Sequence, residues 1–221
     1  MKLVYPEIDT IFDFNCGFFP AAVIENRGLF YRFVDDLQRQ CCGDDGSSVL
    51  SEDDTPVSIA GNLELITQFF PFEINRKTLL NKVLARLEKH AVAPEFYERS
   101  QQLLSNLEKM IYDLAFQYDL ELEISKLSIG ALLKSSGIML KEDYSSLAEK
   151  LLVYIDLMCS NDIASVFVLV NLCSLLDDKT MELFTDSCCQ KEYKILLIDN
   201  KEYNKLPREN RFVIDADLCE F

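Results

Sequence analysis

The residues best placed to do chemistry are a short acidic run and one basic segment. Asp119-Leu120-Glu121-Leu122-Glu123-Ile124 alternates carboxylates with apolar side chains. In an extended segment, that period of two sends Asp119, Glu121 and Glu123 to one face and the leucines and isoleucine to the other. Like charges side by side repel, and a hard cation relieves the repulsion. Calcium takes about six to eight oxygens, so this run could supply only part of one site. A solvated strand face is the plainer reading of the same residues, and both readings stay open at this point. Asp44, Asp45, Glu52, Asp53 and Asp54 offer further carboxylates, but in a Gly- and Ser-containing stretch where solvation is plainer still.

The basic residues are few, so where they gather matters more than their number. Arg76, Lys77, Lys82, Arg86 and Lys89 lie between positions 76 and 90, against the single acid Glu88. At 100° per residue, Lys82, Arg86 and Lys89 fall within about a 60° arc opposite the leucine face of a helix. The chain as a whole holds 22 Lys plus Arg against 37 Asp plus Glu, a formal charge of −15, which argues against a general nucleic-acid coat. Most such stripes are merely solvated. A stripe repeated by symmetry around a ring would instead make a positive channel inside a negative exterior. Lys126, Lys134, Lys141 and Lys150 could extend it.

Other chemistries find little support. Neither G-x-x-x-x-G-K-S/T nor G-x-G-x-x-G occurs, and Asn171 stands at the end of Val166–Val170, where a nucleotide hydrolase would carry a metal-holding acid. The cysteines, Cys16, Cys41, Cys42, Cys159, Cys173, Cys188, Cys189 and Cys219, form no C-x-x-C pair, and His90 is the only histidine, so a structural zinc centre lacks ligands. Several of the cysteines fall inside apolar patterns, where a reduced thiol serves as a small core residue. His90 reads as a helix-end residue.

The elements that must position these residues follow from periodicity. Lys2–Phe14 reads as one or two short strands and Ala21–Ile24 as another. Asn26–Gln40 switches to helical spacing, Cys41–Thr55 is a polar connection, and Pro56–Gly61 offers a short strand. Two helices, one from Arg76 and one from Pro94 to about Tyr118, form an antiparallel pair; a short helix over 127–135 and a longer one over 145–158 follow. Strands at 165–171, 194–198 and 211–216, with a helix at 178–189 between the first two, complete the chain. Strand, helix, strand implies a parallel pair. The expectation is an α/β body made from both chain ends, residues 1–72 and 138–221, with a helical insertion at 73–137. With 49% hydrophobic residues the chain is a folded globular one. Its N-terminus has no basic region followed by a long apolar run, and Val166–Val170, the longest purely apolar stretch, is far short of a membrane span. A soluble cytoplasmic protein is expected.

Three stretches carry a family resemblance. Val23-Ile24-Glu25-Asn26-Arg27 leading into Phe30, Phe33 and Asp36-Leu37, the strand Val166–Leu172, and the ending Leu196–Glu202 followed by Val213–Glu220 resemble the type II-A CRISPR spacer-acquisition family called Csn-two. The match in order and length spans nearly the whole chain. The resemblance implies an α/β fold with a P-loop-ATPase-like head domain lacking the phosphate loop and an inserted α-helical leg domain. It further implies a homotetrameric ring, calcium (Ca²⁺) bound by acidic residues, and double-stranded DNA ends held in a basic central hole. Implied partners are the CRISPR integrase pair and the guide-RNA nuclease. On this resemblance the calcium ligands fall on Asp119, Glu121 and Glu123, and the DNA contacts on Lys82, Arg86, Lys89, Lys126 and Lys134, directed to phosphates and so indifferent to sequence. The resemblance implies a protein that is not an enzyme. The rival readings are a divalent-metal nuclease or phosphotransferase using the same carboxylates, which has no lysine or histidine beside the acidic run to assist it, and a scaffold that binds only proteins.

Overall fold

A computed structural model describes residues 1–14, 17–124 and 126–221. By compactness the chain divides into two units, Met1–Phe72 with Asp143–Phe221, and Glu73–Glu142. Chain order is β1 (Lys2–Val4), β2 (Ile11–Asp13), β3 (Phe19–Ile24), α1 (Arg27–Cys41), β4 (Val49–Glu52), β5 (Thr55–Val57) and β6 (Leu63–Ile66). It continues with α2 (Lys77–Ala91), α3 (Pro94–Gln117), α4 (Ile129–Ser135), α5 (Leu147–Ser160), β7 (Val166–Val170), α6 (Asp178–Gln190), β8 (Lys194–Asp199) and β9 (Glu209–Ile214). A single 3₁₀ turn, Leu172–Ser174, follows β7.

The first unit is mixed α/β. Its five-stranded sheet runs β6-β7-β8-β3-β9 with every neighbouring pair parallel, and β3 and β7 are buried at every position, as strands covered on both faces must be. Alternate residues Ala22, Ile24, Val166, Val168, Val170, Leu196 and Ile198 supply one face of the sheet to a core shared with Leu29, Phe33 and Leu37 of α1. A second, antiparallel sheet, β2-β1-β4-β5, closes the same core with Leu3, Phe12 and Leu50. Phe33 stacks on Tyr5 with ring centroids 4.8 Å apart and on Phe12 at 5.9 Å. The expected β7–α6–β8 parallel pair is present.

Two local readings need correction. The polar stretch Cys41–Thr55 contains β4, because Val49, Leu50 and Ser51 pair with Val4, Leu3 and Lys2 some fifty positions away, a partner that local composition cannot announce. The stretch is also latched from within: Asp36, at the buried end of α1, accepts Ser47 N–H at 2.6 Å and Ser48 N–H at 2.9 Å, and Gln40 Nε2 at 2.9 Å. Burial alone would raise the Asp36 carboxyl, but the donors from Ser48, Ser47 and Gln40 outweigh it and hold the group below its usual value. The strand expected over 56–61 is β5 at Thr55–Val57, an edge strand that tolerates Pro56, and β6, where Leu63-Glu64-Leu65 alternates apolar and acidic residues, is a further strand not among those expected.

The second unit is helical. Pro94 opens α3 at a position where its missing N–H costs nothing, and Ser100 Oγ donates to Ala91 O at 2.7 Å. The two ends of the unit are tied by Asn75, whose Nδ2 donates to Leu140 O at 3.0 Å while its Oδ1 accepts Leu140 N–H at 2.7 Å. Where α4 faces α2, position 130 is glycine: a Cβ there would fall 2.1 Å from Glu88 Oε1 and oblige that side chain to move. Glu88 thereby lies against the first turn of α4, a favourable place for a carboxylate.

Candidate nucleic-acid interface and acidic segment

α2 presents the basic stripe. Lys82, Arg86 and Lys89 are all exposed, while Leu79 on the other side of the helix is buried and Leu80, Val83 and Leu84 are half-buried. Glu88, the acid within this helix, lies against Gly130. Lys82 and Lys89 have no ion-pair partner among the described residues, which leaves their ammonium groups available to an anion. At the other end, Lys77 sits in the first turn of α2, where a cation opposes the helix dipole, so its charge does not serve helix stability. His90 lies in the last turn beside Lys89, a helix-end position where a cation is favoured. Lys126 is exposed in the irregular segment before α4, and Lys134 is exposed in the last turn of α4.

The acidic run is built differently from the extended strand that its alternation suggests. α3 stops at Tyr118 with Asp119 in the left-handed region, φ 54°. Asp119 N–H donates to Phe116 O at 3.3 Å and Leu120 N–H to Ala115 O at 3.0 Å, the paired bonds of a Schellman terminator. Asp119 is therefore the helix stop, with glycine's usual role taken by an aspartate that tolerates positive φ. Glu121 and Glu123 follow in an irregular segment outside any strand, and Asp119, Leu120, Glu121, Leu122 and Glu123 are all exposed. Among the described residues no group of three His, Cys, Asp or Glu is gathered closely enough to hold a metal ion. Within one chain these carboxylates do not form a calcium ligand set.

The buried thiols Cys41, Cys173 and Cys188 are poorly suited to nucleophilic chemistry. Burial pushes Cys41 up to about 11 and moves Cys173 and Cys188 further in the same direction, so all are protonated at neutral pH. The described cysteines are free; Cys16 lies outside the described residues. A cavity of about 320 Å³ opens at the carboxyl ends of β6 and β7, the position where open α/β sheets take ligands. Its lining of Thr67, Gln68, Phe69, Phe70, Val170, Asn171, Ser174 and Leu175 includes no cation to anchor phosphate. Asn171, in the left-handed region, instead ties the strand ends together: its Oδ1 accepts Asn200 N–H at 3.1 Å.

A model of the family described as CRISPR-associated protein (Cas_Csn2) matches residues 40–218, most of the chain. The chain belongs to this family. Membership in Cas_Csn2 implies a role in CRISPR adaptation and places the protein with the CRISPR defence machinery. No curated protein matches the chain. No described helix is long and apolar enough to cross a membrane.

This Cas_Csn2 protein also carries a buried polar cluster where residues 200–208 lead into β9. Glu209 is buried and pairs with Arg211 at 2.6 Å, Tyr203 Oη donates to Glu209 Oε1 at 2.9 Å, and the Arg211 guanidinium lies 4.1 Å from the Tyr203 ring centre. Asp199, at the end of β8, is buried and its Oδ2 has no hydrogen-bond partner. Burial, offset in part by hydrogen bonds from Cys173, lifts the Asp199 carboxyl to about 6, and Glu209 pushes it the same way. The one signal in the sequence is an acid directly after Leu196-Leu197-Ile198.

Proposed function

We propose that the protein is a non-enzymatic, calcium-stabilised homotetrameric ring that holds double-stranded DNA ends without sequence specificity during the capture of new CRISPR spacers. In this reading the first unit is a head related in shape to P-loop ATPases but lacking their phosphate loop, and the second is an inserted helical leg. The observation that carries the DNA-binding part is the exposed stripe of Lys82, Arg86 and Lys89 on α2, on a chain whose net charge is −15. Everywhere else the average surface repels a polyanion, so binding must be local. Copies of the stripe arranged by symmetry concentrate the positive potential. Lys126 and Lys134 add to it, and contacts made by ammonium and guanidinium groups to phosphates carry no base information.

Calcium enters through the exposed acids Asp119, Glu121 and Glu123. Among the described residues they gather into no set of three such ligands in one chain, and in this reading oxygens from a neighbouring copy help complete the shell, which makes the ion a stabiliser of the assembly. The integrase pair and the guide-RNA nuclease are the partners that this role requires.

The test is a gel-shift comparison of a linear duplex with the same DNA as a closed circle, with calcium or chelator, across a salt series. Calcium-dependent binding of the linear form alone, falling steeply with salt, is the expected result. Equal binding of both forms would point to an open groove, and cleavage products would overturn the non-enzymatic reading. Reversing Lys82, Arg86 and Lys89 to Glu is expected to abolish binding. Unchanged binding by that variant refutes the assignment of the stripe.

A further inference from the structure

The chain between β8 and β9 crosses the sheet without a helix. Both strands run parallel to β3, so residues 200–208 return from the carboxyl end of β8 to the amino end of β9, with no helix or strand between. Such returns ordinarily take about a dozen residues or more. This one is a strap pinned at both ends: Asn200 N–H donates to Asn171 Oδ1 at 3.1 Å beyond β7, and Arg208 O accepts Phe19 N–H at 3.1 Å at the start of β3. Its middle is held by one acid and its ion-pair partner. Glu209 Oε2 accepts Leu206 N–H at 2.7 Å, Glu209 Oε1 accepts the Tyr203 hydroxyl at 2.9 Å, and Arg211 Nη1 donates to Tyr203 O at 2.7 Å. Leu206 is buried, and Asn204 adds an outer tie to Asp178 Oδ2 at 2.6 Å.

The same face of the sheet carries a second acid. Register sets Asp199 beside Val23, and Glu209 and Arg211 beside Phe19 and Ala21, so all three charged groups lie on the face opposite Ala22, Ile24, Leu196 and Ile198. The groups that face Asp199 are Cys173 from the turn after β7, Tyr203 from the strap, and Glu209 and Arg211 from β9; β3 offers only Ala21 and Val23 there. Glu209 and Arg211 neutralise each other, and each Glu209 oxygen already accepts two donors. An ionised Asp199 is therefore a buried charge in excess, and its Oδ2 has no hydrogen-bond partner among the described residues. That state is costly while the strap is down, and it is relieved when water reaches the carboxylate. With Asp199 protonated the cluster is neutral.

We infer that residues 200–208 form a pH-sensitive latch, closed on the cluster when Asp199 is protonated and opening more readily once Asp199 ionises. Opening releases a segment that carries Lys201, Lys205 and Arg208 on an otherwise acidic chain. Linkage fixes the sign. A carboxyl lifted from 3.8 to about 6 in the closed state favours closure below about pH 4, and that advantage is lost as pH rises through 6. Between about pH 5 and pH 7.5 the opening equilibrium should rise about tenfold.

Amide hydrogen exchange of the full chain is followed on overlapping peptides across that pH range, each rate divided by the intrinsic rate at its pH. The Leu206 amide, bound by Glu209, is expected to exchange faster than amides of β3 and β7 and to ignore low denaturant, the marks of local opening. Its protection should fall about tenfold from the acid to the neutral end of the range. This arm uses wild type alone, so it stands even if a variant misfolds. Asp199→Asn is expected to keep Leu206 protection level across the range. Asn204→Ala, which cuts only the outer tie to Asp178, should lower protection by the same factor at both ends. Wild-type protection that does not change with pH overturns the latch, as does exchange of Leu206 only together with β3 and β7. A folded Asp199→Asn variant that keeps the wild-type pH course, or an Asn204→Ala variant that loses it, overturns the assignment to Asp199.

Discussion

The two units of this chain spend their apolar residues in opposite ways. In the first, strands and helix interlock around Leu3, Phe12, Phe33, Val168 and Ile198, all essentially inaccessible to water. In the second, Ile74, Leu79 and Ala115 are the buried apolar residues among those described, while Phe96, Leu103, Met110, Leu114, Phe116 and Tyr118 of α3 and its cap stay exposed. The difference teaches where apolar burial is concentrated: the first unit has a large core of its own, and the second buries few apolar side chains and leaves one side of α3 exposed. Electrostatics divide along the same line. The buried ion pair Glu209–Arg211 and the buried Asp199 belong to the first unit, and the exposed basic stripe to the second.

The largest expected effect is in the first core. Phe33→Ala removes a ring stacked between Tyr5 and Phe12 and should cost about 3–5 kcal/mol in denaturant unfolding. Next is a gain. Asp199 has a folded-state value near 6, above its ordinary 3.8, so its contribution favours folding below about pH 4 and is lost as pH rises through 6. Asp199→Asn should therefore stabilise the protein on the order of 2–3 kcal/mol at pH 7–8 and change little near pH 4, as followed by Tm against pH. Equal shifts at both pH values would show that packing, not charge, sets the effect.

Asp36 has the opposite sign. Its carboxyl is held below the usual value, so the stability it confers is present at neutral pH and lost in acid as it protonates. Asp36→Ala, which leaves the Ser47 and Ser48 amides without their acceptor, should cost about 1–3 kcal/mol at pH 7, with the penalty shrinking in acid. The smallest effect belongs to the second unit. Leu103→Ala, half-exposed in the single chain, should cost under about 1 kcal/mol at concentrations where the chain is monomeric. A loss as large as that of Phe33→Ala under those conditions would break the contrast between the units. Hydrogen exchange sharpens it: amides of β3 and β7 should outlast those of α3.

Much of the architecture was legible because it is local. The unbroken apolar runs at 166–170 and 195–198 announce strands buried on both faces, and the leucine spacing of 79–87 announces α2 and leaves Lys82, Arg86 and Lys89 on its outer side. The acidic run misled for an equally local reason: alternation in composition does not reveal that Asp119 occupies the left-handed residue of a helix terminator, which depends on hydrogen bonds back to Ala115 and Phe116. β4 is not legible locally because its partner, β1, lies at the other end of a long loop closure.

What the sequence determined by itself is what neighbouring residues decide together: the helices and central strands, the net charge, the absence of a phosphate loop, and the order of motifs that marks the family. Tertiary structure alone decided the burial of Asp199 and of the Glu209–Arg211 pair, the latch of Asp36 on residues 47 and 48, and which side of α3 stays open. Those depend on contacts between positions far apart in the chain, where desolvation and hydrogen-bond partners are set by packing and not by periodicity.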